Sequence, residues 1–393
     1  MAARASVRPS VAAYAVGNAL GMSAREVNEG LFAGRSGLRP CDLGQPFETA
    51  CGVLPARLEP LPRTLAAFDT RIARLCVAVL DGIRPAVDRA VRRWGPDRLA
   101  VVLGTSTGGI LESEIAFRRF ILEGALPPTF DFDRHHSFEG FLEVVRRWAG
   151  AQGPGYVVST ACSSSGKVFG SAERLIACGI ADAVLVGGAD TLCQTTLRGF
   201  ASLEALSRDP CRPFASDRDG TSLGEGAAFL LLERHGDGPA VLLGVGESSD
   251  AHHMSHPHPE GLGARLAMAE ALSRAGVEAS QVDHVNAHGT GTPINDLIEG
   301  RAIASLLGPR VPVVSTKGYT GHLLGAAGAT EAVFAVMALE RGEIPASLGA
   351  ERADPAIPVR IARAPERRAM ATVLSNSFGF GGNNVAILLG ASR

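Results

Sequence analysis

The tetrapeptide Val157-Val158-Ser159-Thr160 recurs letter for letter as Val313-Val314-Ser315-Thr316, and each copy leads into a turn of small residues and then an apolar helix. Four letters can coincide by chance; the shared strand-turn-helix context is harder to dismiss. After the second copy, Lys317-Gly318-Tyr319-Thr320-Gly321-His322 opens an Ala-rich stretch, Leu323 to Leu339, with apolar residues at helical spacing and a stop at Arg341-Gly342. Two copies of one unit that pack as pseudo-symmetric partners aim both turns into one crevice. Length alone, 393 residues, suggests two or three domains. The repeat argues instead for two intimately packed halves, 1–239 and 240–393.

The first copy carries Cys162 on its strand-to-helix turn. Tyr156 to Thr160 reads as a buried strand, and Ser163-Ser164-Ser165-Gly166 opens a helical pattern ending near Gly179. The first turn of a helix leaves backbone N–H groups unpaired at the positive end of its dipole, which favours thiolate over thiol and can hold a developing oxyanion. A free cysteine is more often a small core residue, so the choice of Cys162 among seven cysteines rests on two histidines far downstream. The second copy brings His322 to the same crevice. A third turn, Asn286-Ala287-His288-Gly289-Thr290-Gly291-Thr292-Pro293, comes after the strand-like Val282 to Val285 and offers a second imidazole.

Composition narrows the classes. With 46% hydrophobic and 20% charged residues and 47 glycines, the chain has material for a large core and many tight turns. A net charge of -2 gives no sign of nucleic-acid binding. No charge-free apolar run reaches membrane-spanning length. The segment Met1–Pro9 has a charge but no apolar block after it, which speaks against a secretory leader. The seven cysteines are odd in number and scattered, giving neither a disulfide framework nor a zinc motif, and fit a reducing cytoplasm.

Strands alternate with helices in both halves, so the class is α/β with helices layered around mixed sheets. The pattern predicts a strand and turn over Ser10–Gly21, a helix over Ala24–Phe32, a long helical region from Pro60 to Trp94 and a buried strand over Leu99–Thr105. It further predicts helices over Glu112–Glu123 and Phe138–Trp148 flanking a loop from Pro127 to His136, and a strand over Gly226–Glu233 closing the first half. The second half opens with Val241–Val245, has a helix over Gly263–Ala275, and closes with Thr372–Ser375, a glycine turn and Val385–Leu389. That turn, Gly379-Phe380-Gly381-Gly382, lacks the Lys-Ser/Thr of a phosphate loop and precedes a strand rather than a helix, so a nucleotide site is not expected. His252, His253, His256 and His258 crowd a Pro-rich loop; no fixed ligand geometry supports a metal there, and a solvated loop near a tunnel mouth is expected. Arg63, Arg71 and Arg74 are read as solvated arginines on helix faces.

Thr160-Ala161-Cys162-Ser163-Ser164, Asn286 to Pro293, Thr316-Lys317 with Thr320-Gly321-His322, and Asn376-Ser377-Phe378-Gly379-Phe380-Gly381-Gly382-Asn383 occur in that order. With them the chain resembles the β-ketoacyl-acyl-carrier-protein synthases, in the elongating branch with its Cys-His-His pattern. The resemblance is strongest from about Gly155 onward and weak over the first hundred or so residues. It implies a thiolase-like five-layer αβαβα fold, acyltransferase activity, acyl carrier protein as partner, substrates carried on phosphopantetheine, and no cofactor or metal. It also implies a dimer, either of identical chains or with a cysteine-less chain-length partner. The weakly matching N-terminus, His135-His136-Ser137-Phe138-Glu139, and Gly318-Tyr319 beside Lys317 depart from fatty-acid enzymes and resemble specialised type II ketosynthases, including those that make aryl polyenes.

On this resemblance Cys162 takes the acyl group as a thioester and the imidazoles of His288 and His322 stabilise the enolate left by decarboxylation of malonyl-carrier protein. Lys317 would organise His322 electrostatically, Glu331 would support the site from behind, and Asp296 would support the histidine turn. The Phe380 N–H would join that of Cys162 in an oxyanion hole, and its ring could gate the pocket. Thr290 and Thr292 match hydroxyls that hold the phosphopantetheine arm, although a Gly-Thr-Gly-Thr turn can also cap itself. Phe200 is a candidate wall of the acyl cavity and Phe378 a second candidate for substrate contact. Two other readings stand beside this one: a non-catalytic chain-length subunit, against which Cys162, His288 and His322 argue, and a thiolase or unrelated acyltransferase using the same nucleophile, of which a thiolase would carry another cysteine near the final glycine turn, where none lies.

Overall fold

A computed structural model describes residues 7–392 and organises them around an eleven-stranded mixed sheet. Its strands are β1 Ser10–Gly17, β2 Leu99–Gly104, β3 Gly155–Val158, β4 Ala183–Asp190, β5 Gly226–Glu233, β6 Ala240–Ser249, β7 His284–Asn286, β8 Pro312–Val314, β9 Arg360–Ile361, β10 Thr372–Gly379 and β11 Asn383–Ala391. They lie in the order β9-β8-β7-β10-β11-β6-β1-β5-β4-β2-β3. The repeat seen in four letters is a repeat of topology. In the first half β2 pairs in parallel with β3 and β4, then β4–β5 and β5–β1 are antiparallel. In the second half β7 pairs in parallel with β8 and β10, then β10–β11 and β11–β6 are antiparallel. Thus β3 corresponds to β8, and β2 to β7. Among the described strands the two sets pair where Ser10 and Val11 of β1 meet Val241 and Ala240 of β6.

The principal helices are α1 Arg71–Leu80, α2 Arg84–Trp94, α3 Ile110–Glu123, α4 Phe138–Ala149, α5 Ser164–Ala177, α6 Leu262–Ala275, α7 Pro293–Leu307 and α8 Ala327–Arg341. Helices α5 and α8 lie between the two sheet halves: Val168, Phe169, Val333 and Val336 share one core with Val186 and Leu230 of the first half and Val373 and Ile387 of the second. Outside, α1, α2 and α4 cover the first set of strands, and α6 and α7 the second. The result is the five-layer αβαβα arrangement. Helix α8 is buried from Ala327 to Leu339, which is why its sequence is apolar all round rather than on one stripe. Where α8 crosses α5, a Cβ on Gly328 would lie 2.5 Å from the Gly166 nitrogen, so glycine is required for the helices to touch.

Several expectations are corrected. The strand before Cys162 is not a buried one: β3 is the sheet edge, with Tyr156 38% exposed, because only β2 flanks it. Pro60–Trp94 is not one helical region. Thr70 caps α1 by accepting from the Ala73 N–H, and the tight turn Asp81–Ile83 separates α1 from α2, which starts with Pro85 in its first turn. Arg71 and Arg74 are not free surface charges but pair with Glu225 and Asp69. The stretch Pro127–His136 contains a helical turn, Phe132–His135, capped by Asp131. Helix α7 is absent from the sequence-based expectations, although Pro293 at its first position and Gly308 past its end mark it. Residues 1–6, within the segment read for a leader, lie outside the described residues. Among the described residues no helix is long and apolar enough to cross a membrane.

One buried group in this scaffold has a measurable signature. His284 on β7 lies 3.2 Å from the Pro312 carbonyl oxygen through Nδ1, and burial pulls its pKa down to about 4. The folded state keeps it neutral while the unfolded chain protonates it near 6.5. Its contribution to stability is therefore whole above that pH and is lost as pH falls toward the folded value. We expect H284Q to flatten the acid limb of a urea-denaturation series by about 1.4 kcal/mol per pH unit across this window.

Candidate active site

Strand β3 ends at Val158, and the chain turns through Thr160 and Ala161 to place Cys162 just ahead of α5. Ala161 sits at φ 52°, left-handed for a residue with a side chain, a conformation that costs free energy and persists only where the surroundings enforce it. Ser164 enforces it: its hydroxyl accepts the Thr160 N–H at 2.9 Å and donates to the Ala161 carbonyl at 2.6 Å. Cys162 is thereby held on a tight bend at the mouth of a helix, 4% exposed.

The equivalent bend after β8 supplies the second group. Lys317–Thr320 forms one helical turn, Gly321 reverses the chain, and the His322 N–H donates to the Ser222 carbonyl at 2.7 Å while the Gly224 N–H donates back to the His322 carbonyl at 3.0 Å. So clamped, His322 puts Nε2 3.0 Å from the Cys162 sulfur. The turn after β7 supplies the third group, with the His288 ring 5.2 Å from that of His322 and almost perpendicular to it, at 84°. Sulfur and the two imidazole donors lie within 4.8 Å of one another. Three loops drawn from both halves of the chain thus meet at one point.

Burial sets the charges. Both imidazoles are pushed well below their ordinary pKa by burial, reinforced by the Lys317 ammonium, so both are neutral at physiological pH. Lys317 reaches the His288 carbonyl oxygen, approaches His288 Nδ1 to 3.4 Å, and is paired with Glu331 at 2.6 Å. Burial pushes Glu331 up to about 7 against the pull of Lys317. Cys162 departs from expectation: burial lifts its thiol to about 11, outweighing the lowering by Lys317 and by the N–H groups of Phe380 and of Cys162 itself. The resting nucleophile is therefore a thiol whose neighbouring base, the neutral His322 Nε2, can take its proton at the moment of attack.

The Phe380 N–H is directed at the Cys162 sulfur from the hairpin between β10 and β11. Glycine eases the approach, since a Cβ on Gly379 would crowd the Thr160 carbonyl oxygen at 3.0 Å and the Cys162 nitrogen at 3.2 Å. The Phe380 ring stacks on Phe200 at 5.5 Å, and Phe200 stands edge-on to His322. A cavity of about 260 Å³ runs outward from Cys162 past Phe378, Thr290 and Thr292 to His256 at its mouth. Thr290 and Thr292 line it with their hydroxyls 2.8 Å apart. Of the clustered histidines, His253 and His256 face each other through Nδ1 at 3.0 Å in the exposed loop.

Asp296 stands behind the third turn, accepting from the N–H groups of Phe214 at 2.8 Å and Gly291 at 3.1 Å, with no contact to the His288 ring. The carboxylate that holds His288 itself is Glu299, which the sequence reading missed. It accepts the His288 and Gly289 N–H groups, each at 2.8 Å. A second omission is Asp190 at the end of β4, which binds Thr105, Ser106 and Thr107 of the first half and the Ala326 N–H of the second. The available signal was an acidic residue closing a wholly apolar strand, and, for Glu299, a carboxylate three positions after Asp296 on the same helix.

Comparison with known proteins agrees with this geometry. The model for the "Beta-ketoacyl synthase, N-terminal domain" matches residues 144–238 and that for the "Beta-ketoacyl synthase, C-terminal domain" matches 239–351. The mitochondrial 3-oxoacyl-[acyl-carrier-protein] synthase of Arabidopsis thaliana is 40% identical over 61% of this chain and 57% of its own length, so this match spans little more than half of that relative. The 3-oxoacyl-[acyl-carrier-protein] synthase 2 of Synechocystis is 32% identical over 94% of each chain. Among solved structures, the ketosynthase ApeO in complex with its chain length factor ApeC from Xenorhabdus doucetiae superposes with a TM-score of 0.92 at 38% identity over 98% of both chains. The ishigamide ketosynthase/chain length factor gives 0.90 at 28% identity over 99% of this chain and all of that one. With the same fold, the repeated turns and the cysteine and two histidines in one crevice, the chain belongs to the β-ketoacyl synthase family.

Proposed function

We propose that the protein is an acyltransferase that joins an acyl thioester to malonyl-carrier protein with loss of carbon dioxide. The observation that carries this is the convergence of Cys162, His288 and His322 on one cavity of about 260 Å³ that Thr290 and Thr292 also line. The Cys162 sulfur attacks the incoming thioester as its proton passes to His322 Nε2; the tetrahedral oxyanion is held by the Cys162 and Phe380 N–H groups, and the carrier thiol leaves with the proton. Malonyl-carrier protein then enters along Thr290 and Thr292. Its C–CO2 bond breaks, the electron pair becomes an enolate whose oxygen faces His288 and His322, and the enolate carbon attacks the Cys162 thioester. The new C–C bond expels the Cys162 sulfur as a thiolate, which takes one proton from water to restore the resting thiol, and β-ketoacyl-carrier protein departs. Burial, reinforced by Lys317, keeps both imidazoles neutral; with the acyl group on sulfur, His322 takes the tautomer that carries the proton on Nε2, and each ring then offers one N–H to the enolate. No cofactor takes part.

The setting we favour is a specialised type II pathway, such as one making aryl polyenes, in the reducing cytoplasm, with a chain-length subunit as partner. The likeness to two ketosynthases solved with chain length factors supports this reading. A chain-length role for this chain itself is disfavoured by Cys162 and its hydrogen bond to His322. The test is intact-mass measurement after exposure to a panel of acyl-carrier proteins, alone and with candidate partner subunits. We expect one acyl group on Cys162, and β-ketoacyl-carrier protein once malonyl-carrier protein is added; a chain that stays unacylated throughout would refute the assignment.

A further inference from the structure

Away from the active site, two of the seven thiols lie together. Cys51 occupies the centre of the strand Ala50–Gly52, fully buried among Leu197, Leu223 and Leu324. Cys41 comes directly after the antiparallel strand Leu38–Pro40, and its N–H donates to the Thr49 carbonyl at 2.8 Å, which carries the pairing one step past Pro40. Arg39 faces Cys51 across this hairpin, so Cys41, two residues on, projects from the same side as a diagonal neighbour. Cys41 packs against the same small apolar cluster that holds Cys51, and the interaction between the two thiols keeps Cys41 below its ordinary pKa while Cys51 is raised. Of this pair Cys41 alone is reachable, because it lines an open cleft of about 610 Å³ between the loop 42–48 and Arg208–Pro210. An accessible thiol of lowered pKa backed by a buried one is the arrangement in which oxidation ends in a disulfide.

We propose that Cys41 and Cys51 form a reversible disulfide, with Cys41 meeting the oxidant and Cys51 resolving it. With hydrogen peroxide, the Cys41 sulfur attacks one oxygen, the O–O bond breaks, and water leaves behind a sulfenic acid. The Cys51 sulfur displaces its hydroxyl as a second water. Two thiols lose two electrons and two protons, and peroxide is reduced to two waters. The bond is placed to act on the active site. Cys51 pairs with Leu223, Leu223 bridges His322, and a Cβ on Gly52 would lie 1.9 Å from the Thr320 carbonyl oxygen. Pinning the hairpin therefore shifts backbone directly behind His322, and condensation slows. This second step rests on the proposed function; the cross-link does not.

The experiment treats the native full chain with graded hydrogen peroxide, blocks remaining thiols with iodoacetamide and maps the peptides. We expect the oxidised protein to be lighter by two hydrogens, with one linked peptide pair containing Cys41 and Cys51, reversed by dithiothreitol, while buried Cys162 is still recovered as free thiol. C41S should show no linkage, and C51A should leave a Cys41 sulfenic acid that dimedone traps. Free Cys41 and Cys51 at peroxide levels that already oxidise Cys162 or the exposed Cys178 would overturn the proposal. In the rate assay, oxidation should lower condensation several-fold in the wild type and leave C41S unaffected; a linked wild type with undiminished rate would overturn the coupling to His322.

Discussion

Cys162→Ala is expected to lower chain extension by about four orders of magnitude or more, because it removes the atom on which the acyl group waits and the reaction loses its division into two positioned steps. Decarboxylation of malonyl-carrier protein should survive. That step needs the enolate oxygen to be stabilised, and His288, His322 and Lys317 are held by Glu299, Ser222 and Glu331, without help from the sulfur. The small alanine also fits the bend at Ala161 without new contacts. The check is paired: mass spectrometry of Cys162 acylation and β-ketoacyl product on one side, carbon dioxide release from malonyl-carrier protein on the other. Normal extension by the variant would remove Cys162 from the mechanism.

The two histidines should separate in a way that their similar burial conceals. Removing one preorganised donor to a developing oxyanion costs about 10²–10³ in rate, and both His288→Ala and His322→Ala should lose decarboxylation on that scale. Acyl transfer to Cys162 distinguishes them. His322 Nε2 is the group 3.0 Å from the sulfur, whereas His288 is bound through its backbone to Glu299 and contacts Lys317. Loading should therefore fall steeply in His322→Ala and change little in His288→Ala. Single-turnover acylation and then intact mass read this directly, and equal loss of loading in both variants would show that the imidazoles act as one unit.

The parts of this molecule legible in the sequence are those where a local rule and a long-range one coincide. Val157–Thr160 and Val313–Thr316 reveal the repeat because the same strand, turn and helix had to be encoded twice. Cys162, His288 and His322 stand out because small residues surround them on turns. Burial of the strand before Cys162 is misread, since its apolar letters say nothing of whether a neighbour lies on one side or both. Glu299 escapes notice because its partners are backbone N–H groups of a turn earlier in the chain, which leave no trace in side-chain pattern. The ionisation of Cys162 is misjudged for a related reason: a helix terminus can be read locally, but the desolvation that overrides it depends on elements from the whole chain.

The interleaving of α5 and α8 between the two sheet halves bears on how the protein is made. The inner face of the first half is covered in part by α8, which is encoded long after that half ends. A nascent chain leaving the ribosome therefore carries a finished set of strands with an apolar face still open to water, a condition that invites aggregation. Biogenesis of this enzyme should depend on chaperone occupancy until Ala327–Arg341 has emerged, and a stop codon anywhere before that helix should yield inclusion bodies rather than a smaller folded protein.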